Sequence, residues 1–485
     1  MRLNTTSIQD IVGGDLVVAP ADVAHDLLGL TWDSREVFAD CLYAALPGER
    51  VDGNDFIACA IEGGAMLALA GRVPDERTRE VARKVGAGII VVDDVAESIT
   101  ALASAWRSMI SATVVAITGS VGKTTTKSLT RQILSSHFKT CATKGNFNNE
   151  LGAPYTVLSA DFDCEMLIVE MGMDDMGQIA HICSFARPDM GLINNVGVSH
   201  LERLGTRENI ARAKAELFEA LPEGGKAFVN NADDMADFVC ELGRLDERGV
   251  ETILFDGTGA VPGAAGVRAV WAKDISVDDE GRPHFTLCAR GFDSCSDEQS
   301  APCALGLRGI HNVSNACGAA AIGLACGLSL ESVACALADA EPEAGRQEVK
   351  RASSGAVVFD DSYNASPASM VASLSMLASY KTSGRKIAVL GDMGELGSAS
   401  LEGHEAAGRA AAQAGVDKLV CVGELSGSIA EGARDAGLPE DRIACVPDAS
   451  AAILELQGTL GRADVVLVKA SHYMHLDRVV EGILE

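Results

Sequence analysis

Positive charge is in short supply: 40 Lys and Arg stand against 68 Asp and Glu, a formal net charge of −28 at pH 7. A chain of that sign lacks the surplus cations with which nucleic-acid binders displace phosphate counterions, so no nucleic-acid partner is expected. An anionic ligand must be held by a local site. Also lacking is an apolar run of the ~20 residues that a bilayer span requires. The opening stretch MRLNTTSIQDIVGGDLVV has no basic region followed by a long apolar one. These absences predict a cytoplasmic protein with no membrane partner. The 14 cysteines lack the density of a disulfide framework, and Cys288, Cys295 and Cys303 lack the paired CxxC spacing of a zinc site. Reduced, mostly buried thiols are expected. No internal repeat or low-complexity tract stands out.

What is present is length and alternation. At 485 residues and 47% hydrophobic composition, the chain can hold about three domains of roughly 100–200 residues each. Residues 1–112 read as a small α/β domain, closed by an amphipathic helix around Ile99 to Ile110. From Thr113 the run TVVAIT, a glycine-containing turn and the helical pattern KTTTKSLTRQILSSHF predict a buried parallel strand feeding a helix. Strand candidates at MLIVEMG, MGLINNV and KAFVNNAD alternate with helical stretches, which predicts a doubly wound parallel sheet over 113–341. Within it, ISVDDEGRPHFTLCARG reads as a hairpin turning at Asp279 to Pro283. An Ala- and Gly-rich helix follows from about Asn312 to Gly327. Pro342 marks a linker, and the strands AVVFDD, KIAVLGD, KLVCVG and DVVLVKA predict a third, Rossmann-like α/β domain over 342–485.

The strongest chemical signal is the turn Thr118-Gly119-Ser120-Val121-Gly122-Lys123-Thr124, followed by Thr125. Placed between a strand and a helix, its backbone amides and the helix dipole can cradle a phosphate chain. Lys123 would neutralise the β/γ-phosphates and Thr124 would offer a hydroxyl to Mg²⁺. Ile117 stands where the common GxxxxGK[ST] string has its first glycine. The turn implies a nucleoside triphosphate without naming the reaction. Asn230-Asn231-Ala232-Asp233 reads as a strand-end turn.

Read with this loop, several strings resemble the Mur ligase family, and within it the branch that adds D-alanyl-D-alanine. They are Asp33-Ser34-Arg35 with AALPGERVDGNDF and AIEGGA, then KGNFNNELGAP, VEMG and NNVGVSHLERLGTRENIARAKAELFE, and later GLRGIHNVSNACGAAAIG, PEAGR, FDDSYNASPASM and LGDMGELG. The resemblance implies a monomeric, ADP-forming amide ligase with ATP and Mg²⁺ as cofactors. Its substrates would be UDP-N-acetylmuramoyl-tripeptide and D-alanyl-D-alanine, joined through an acyl phosphate.

By the same resemblance, Ser34 and Arg35 would lie near the uridine diphosphate, with Asn146 and Asn149 on a substrate loop. Glu170 would bind Mg²⁺ near Thr124, His200 would help hold a second ion, and Lys214 would be carbamylated. Asn312 and Asn315 would lie on the adenine side, Arg346 near the phosphates and Asp361 near the ribose. Tyr363, Asn364 and Pro367 would form part of the site at the domain junction. Taken alone, His200 could equally be a turn histidine, and Lys214 a solvated helix lysine. One departure is clear: in VLVKASHYMHLDRVV, Ala470 and His472 stand where that branch carries a glycine and an arginine. Two other readings remain open at this point: another member of the superfamily, adding the third residue or polyglutamylating folate, and a P-loop ATPase acting as a switch.

Overall fold

The computed structural model describes residues 1–48, 51–264, 266–292 and 298–484. Cys295, together with Glu49 and Arg50 of AALPGERVDGNDF, lies outside the described residues. Three large sheets follow one another along the chain. The first runs Asp15–Val18, Gly88–Val91, Ala65–Ala70, Cys41–Ala44, Leu30–Thr31 in spatial order and is parallel except at its first pairing. Its last helix, Val95–Met109, starts where the Asp94 carboxylate accepts from the amides of Ala96 and Glu97. The amphipathic pattern buries Ile99, Leu102 and Trp106. Their partners include the middle of the chain: Trp106 Nε1 donates to Ala160 O at 2.9 Å, and one apolar core runs from Leu42 and Leu69 through this helix to Val114, Leu167 and Ile179. That continuity holds the first sheet against the second.

The second sheet has nine strands. Its order is Gln299–Ala304, Pro283–Arg290, Ala269–Val277, Glu251–Asp256, Lys226–Asn230, Met190–Ile193, Thr113–Thr118, Met166–Glu170, Thr140–Ala142. The seven strands from Ala269–Val277 onward pair in parallel. The other two extend the same sheet antiparallel, so the expected hairpin continues the main sheet. Its turn is fixed by Asp278, whose carboxylate accepts from the amides of Glu280 and Arg282. Thr113–Thr118 has later strands on both sides, Met166–Glu170 and Met190–Ile193. The connections leave it in opposite directions and open a crevice at the strands' C-terminal ends, where ligands bind in such sheets. Helices Lys123–Ser135 and Asn312–Ala325 pack over one face. The small residues of the second helix allow close approach: a Cβ on Gly323 would come within 2.6 Å of Ile133 Cγ2.

The third sheet runs Glu348–Arg351, Val357–Asp360, Val465–Lys469, Lys386–Gly391, Lys418–Val422, Ile443–Val446, parallel apart from its first pairing. The four inner strands match the four apolar runs. The two edge strands carry no such signal, because an edge strand such as EVKR is half exposed and reads as polar linker. Among the described residues, no helix is long and apolar enough to cross a membrane.

Candidate active site

The phosphate loop turns on two glycines. Gly119 has φ +151° and Gly122 φ +85°, and a side chain at either would collide with Asn194 or Asn315. The loop is braced from behind. Ser120 N donates to Asn195 O at 3.0 Å, Val121 N donates to Asn195 Oδ1 at 2.9 Å, and Ser120 Oγ accepts from Gly197 N at 2.8 Å. Thr118 is buried and its hydroxyl donates to Met171 O at 2.8 Å, so it anchors the loop, and neither it nor Gly119 lines the cavity. Ser120 to Thr125 do line it. Helix geometry leaves the first-turn amides of Lys123, Thr124 and Thr125 without intrahelical partners, aimed at a ligand. The Lys123 ammonium donates to Gly119 O at 2.8 Å, and burial lowers its pKa from the ordinary lysine value.

Glu170 ends its strand wholly buried. Oε1 accepts from Thr124 Oγ1 at 3.1 Å and from Asn148 Nδ2 at 2.7 Å, whereas Oε2 has no hydrogen-bond partner and lies 3.7 Å from Lys127 Nζ. A buried carboxylate oxygen without a partner is costly, and a hard cation beside the Thr124 hydroxyl would relieve it. Among the described residues, no three His, Cys, Asp or Glu cluster into an all-protein metal cage. Mg²⁺ needs none, since one or two carboxylates, substrate phosphates and water complete its shell. The residues present fit the ion.

His200 has φ +62° and places Nδ1 2.6 Å from Glu395 Oε2, leaving Nε2 as the ring atom open to a metal. The contact lowers the Glu395 pKa and joins the central section to the LGDMGELG loop of the third. Lys214 is buried in helix Arg207–Glu219, and burial, with the Lys123 charge added, lowers its pKa well below the ordinary lysine value. It lies behind the cavity surface rather than on it. Desolvation favours the neutral, nucleophilic form of an amine, the form that reacts with CO₂.

The cavity itself encloses about 1270 Å³ and takes its walls from the central and third sections and the linker. Asn146 and Asn149 line it, and the Asn149 carboxamide accepts from Gly152 N at 2.8 Å. Asn312 and Asn315 also line it, but their amides are committed inward. Asn315 Nδ2 donates to Asn312 Oδ1 at 2.8 Å, while Asn315 Oδ1 accepts from Thr126 Oγ1 at 3.3 Å behind the phosphate loop. On the opposite wall, Asp361 Oδ2 lies 2.7 Å from Lys469 Nζ and accepts from Ser373 Oγ at 2.5 Å. Lys469 also donates to Asn364 O at 2.9 Å. Arg346 sits over the Tyr363 ring, 4.3 Å from its centroid, and His472 meets the same ring at 5.4 Å. Burial raises the Tyr363 pKa. The departure at His472 thus falls on the cavity wall, 6.0 Å from a second imidazole, His475.

Besides Thr118, Gly119 and Lys214, three more expected site residues lie outside the cavity lining. Pro367 is the first residue of helix Pro367–Ser379, behind a Ser366 N-cap, and packs towards Gly403; its rigid φ suits a helix start. Its neighbours Ser366 and Ser369 line the cavity instead. Ser34 and Arg35 sit on a turn of the first section, where Arg35 is 85% exposed and pairs with Asp33 at 2.6 Å. That turn is tied to the loop of Asn146 and Asn149 by an aromatic trio, Trp32 lying 5.5 Å from Phe147 and 5.2 Å from Tyr155. Residues missed in the sequence include Asn148, Lys127, Lys469 and His311. Asn148, Lys469 and His311 stand inside strings already singled out and Lys127 inside the helical pattern after the loop, but nothing in those strings marked the four as site residues.

Models of three Mur ligase domains match the chain: the catalytic domain over residues 27–107, the middle domain over 117–323 and the glutamate ligase domain over 345–472. A UDP-N-acetylmuramoyl-tripeptide–D-alanyl-D-alanine ligase of Mycobacterium tuberculosis is 39% identical over 87% of this chain and 83% of its own. The crystal structure of MurF from Acinetobacter baumannii superposes with a TM-score of 0.82 at 26% identity, covering 100% of this chain and 99% of that one. MurF from Thermotoga maritima, solved in complex with ADP, gives 0.73 at 28% identity, covering 94% and 97%. On these domain matches and this identity, the chain belongs to the Mur ligase family.

Proposed function

We propose that this protein joins D-alanyl-D-alanine to UDP-N-acetylmuramoyl-tripeptide, with ATP converted to ADP and phosphate. One observation carries the reading: the phosphate loop and the unsatisfied Glu170 oxygen open into the same cavity as the Asp361, Tyr363 and His472 wall. A nucleotide and a second substrate can therefore meet there. The relatives named for this reaction match along most of the chain.

A carboxylate is a poor electrophile, so it needs a leaving group. A carboxylate oxygen of the tripeptide attacks the γ-phosphorus, the bond to the β-phosphate oxygen breaks, and ADP leaves. The amine of the dipeptide then adds to the acyl carbon, loses a proton, and expels inorganic phosphate. Lys123 and the first-turn amides hold the phosphate oxygens in both steps, which is positioning and electrostatics rather than covalent chemistry. Thr124, Glu170, His200 Nε2 and a carbamylated Lys214 are the groups that would hold Mg²⁺. When bound, the ion neutralises charge on the transferring phosphoryl group.

In this reading residues 1–112 take the uridine diphosphate through Ser34 and Arg35, 113–341 hold ATP, and 342–485 present the dipeptide. Asn146 and Asn149 contact the peptide substrate. Asn312 and Asn315 shape the adenine side, the latter by bracing the loop, while Arg346 reaches the phosphates and Asp361 the ribose. Tyr363 and Asn364 form the dipeptide wall. We take the protein to act as a monomer in the cytoplasm; thirteen described cysteines are free thiols, the state that compartment maintains. Incubation with ATP, Mg²⁺ and the UDP-linked tripeptide, with and without D-alanyl-D-alanine, tests the proposal. The pentapeptide mass should appear only with the dipeptide, and ADP formation independent of the tripeptide would overturn the reading in favour of an ATPase switch.

A further inference from the structure

Lys127 lies one turn beyond Lys123 on the same helix and is 2% exposed, yet the reaction as derived gives it no task. Its ammonium reaches three separate segments. It lies 2.9 Å from Glu343 Oε1 in the linker and 3.7 Å from Glu170 Oε2 at the strand end, and it donates to Gly145 O at 3.3 Å in the substrate loop. Glu343 accepts a second bond from the same helix, from Ser128 Oγ. One buried cation therefore serves two carboxylates, one on the candidate metal ligand and one on the only covalent connection to the third section.

We infer that Lys127 and Glu343 form a tie that seats the linker, and so positions the third section over the nucleotide site. The physical reason is charge. Buried Glu170 and Glu343, the latter 29% exposed, share one buried ammonium, and removing it leaves two like charges on the same spot with no cation between them. The linker then moves Glu343 out to water. Other polar contacts between the third and central sections include Gln347 with His311 at 3.4 Å, the exposed pair Lys381 with Asp279, and the site's second ion pair, His200 with Glu395, where Glu395 is 61% exposed and its hold correspondingly weak. The Lys127 pair is the better shielded of the two. Arg346 follows three residues after Glu343, with Arg346 N donating to Glu343 O at 3.0 Å, so the linker turn that the tie fixes also sets where the guanidinium sits over Tyr363. Lys127 and Glu343 are thus positioning residues. A further consequence rests on the proposed assignment of Glu170 to the metal: a cation at Oε2 would repel Lys127 towards Glu343 and tighten the tie.

The test uses the full chain carrying a donor and acceptor dye on the central and third sections. Glu343→Gln keeps the shape and removes the charge; Lys127→Met removes the cation. In Glu343→Gln without ligands, the interdomain distance distribution should broaden towards larger values. ADP affinity in the absence of Mg²⁺ should stay within about twofold, and kcat should fall on the order of tenfold, the size of one shielded charge pair lost. The double variant should lose no more than the worse single one, since both break the same contact. If Lys127→Met fails to fold, Glu343→Gln alone decides. An unchanged distance distribution with unchanged kcat in Glu343→Gln would overturn the inference. The distance readout needs no turnover, so it stands apart from whether the proposed reaction is right.

Discussion

At the phosphate end of the cavity Glu170 keeps a wholly buried oxygen without a hydrogen-bond partner, whereas on the opposite wall Asp361 has its Oδ2 taken up by both Lys469 and Ser373. The first end is built from the buried ends of parallel strands and the start of one helix. The second is built from loops of the third section, where Arg346, Tyr363 and His472 lean on one another. The difference teaches how each end gains from a ligand. A cation and phosphates at the first end satisfy groups that fold at a cost, so binding there is reinforced by relief of that cost. A ligand at the second end must exchange existing partners for new ones, which suits selection among substrates more than raw affinity.

Substitutions at the two ends should therefore differ in size and kind. The largest effect is expected at Lys123→Ala, which removes the phosphate cation and should lower kcat/KM on the order of a thousandfold, read as ADP release coupled to product. Glu170→Gln comes next. It should cost on the order of a hundredfold in kcat and raise the Mg²⁺ concentration needed for half-maximal rate, measured by metal titration. Lys469→Met, at the other end, frees Asp361 and should act mainly on KM, on the order of tenfold, with kcat less affected. Equal losses in kcat from Glu170→Gln and Lys469→Met would erase the contrast.

A fourth expectation concerns His311, which lies close to the charges of Asp361 and Lys469 and whose pKa burial lowers from 6.5 to about 4. Between those values the unfolded chain binds a proton that the folded one does not. Stability should therefore fall as pH drops from 6.5 towards 4, with a slope of at most about 1.4 kcal/mol per pH unit from this group. Denaturant midpoints across that range should show a shallower slope in His311→Gln. The smallest effect belongs to Pro367→Ala. Because Pro367 itself stays outside the cavity lining at the start of its helix, kcat and KM should stay within about twofold, and stability should shift by less than about 1 kcal/mol.

The contrast between the two ends also governs what the sequence displays. Thr118 to Thr125 and Glu170 are readable because a strand, a turn and a helix start are local patterns, and ligands collect at strand ends. The four inner strands of the third sheet are readable for the same reason, as apolar runs. Pairings across sections are not: no periodicity links Lys127 to Glu343 or His200 to Glu395. The same limit explains Pro367, whose place in a singled-out string suggested a ligand contact while its own conformational chemistry made it a helix start. Asn148, which holds the Glu170 carboxylate, stands between Asn146 and Asn149 in one string, and alternation alone does not say which of the three turns inward.

The most direct test of the central claim is to follow an oxygen atom. Tripeptide labelled with ¹⁸O in its terminal carboxylate, turned over with ATP, Mg²⁺ and D-alanyl-D-alanine, should deliver one ¹⁸O into inorganic phosphate for each pentapeptide formed. Pentapeptide accompanied by unlabelled phosphate would contradict activation of the carboxylate by ATP in this cavity.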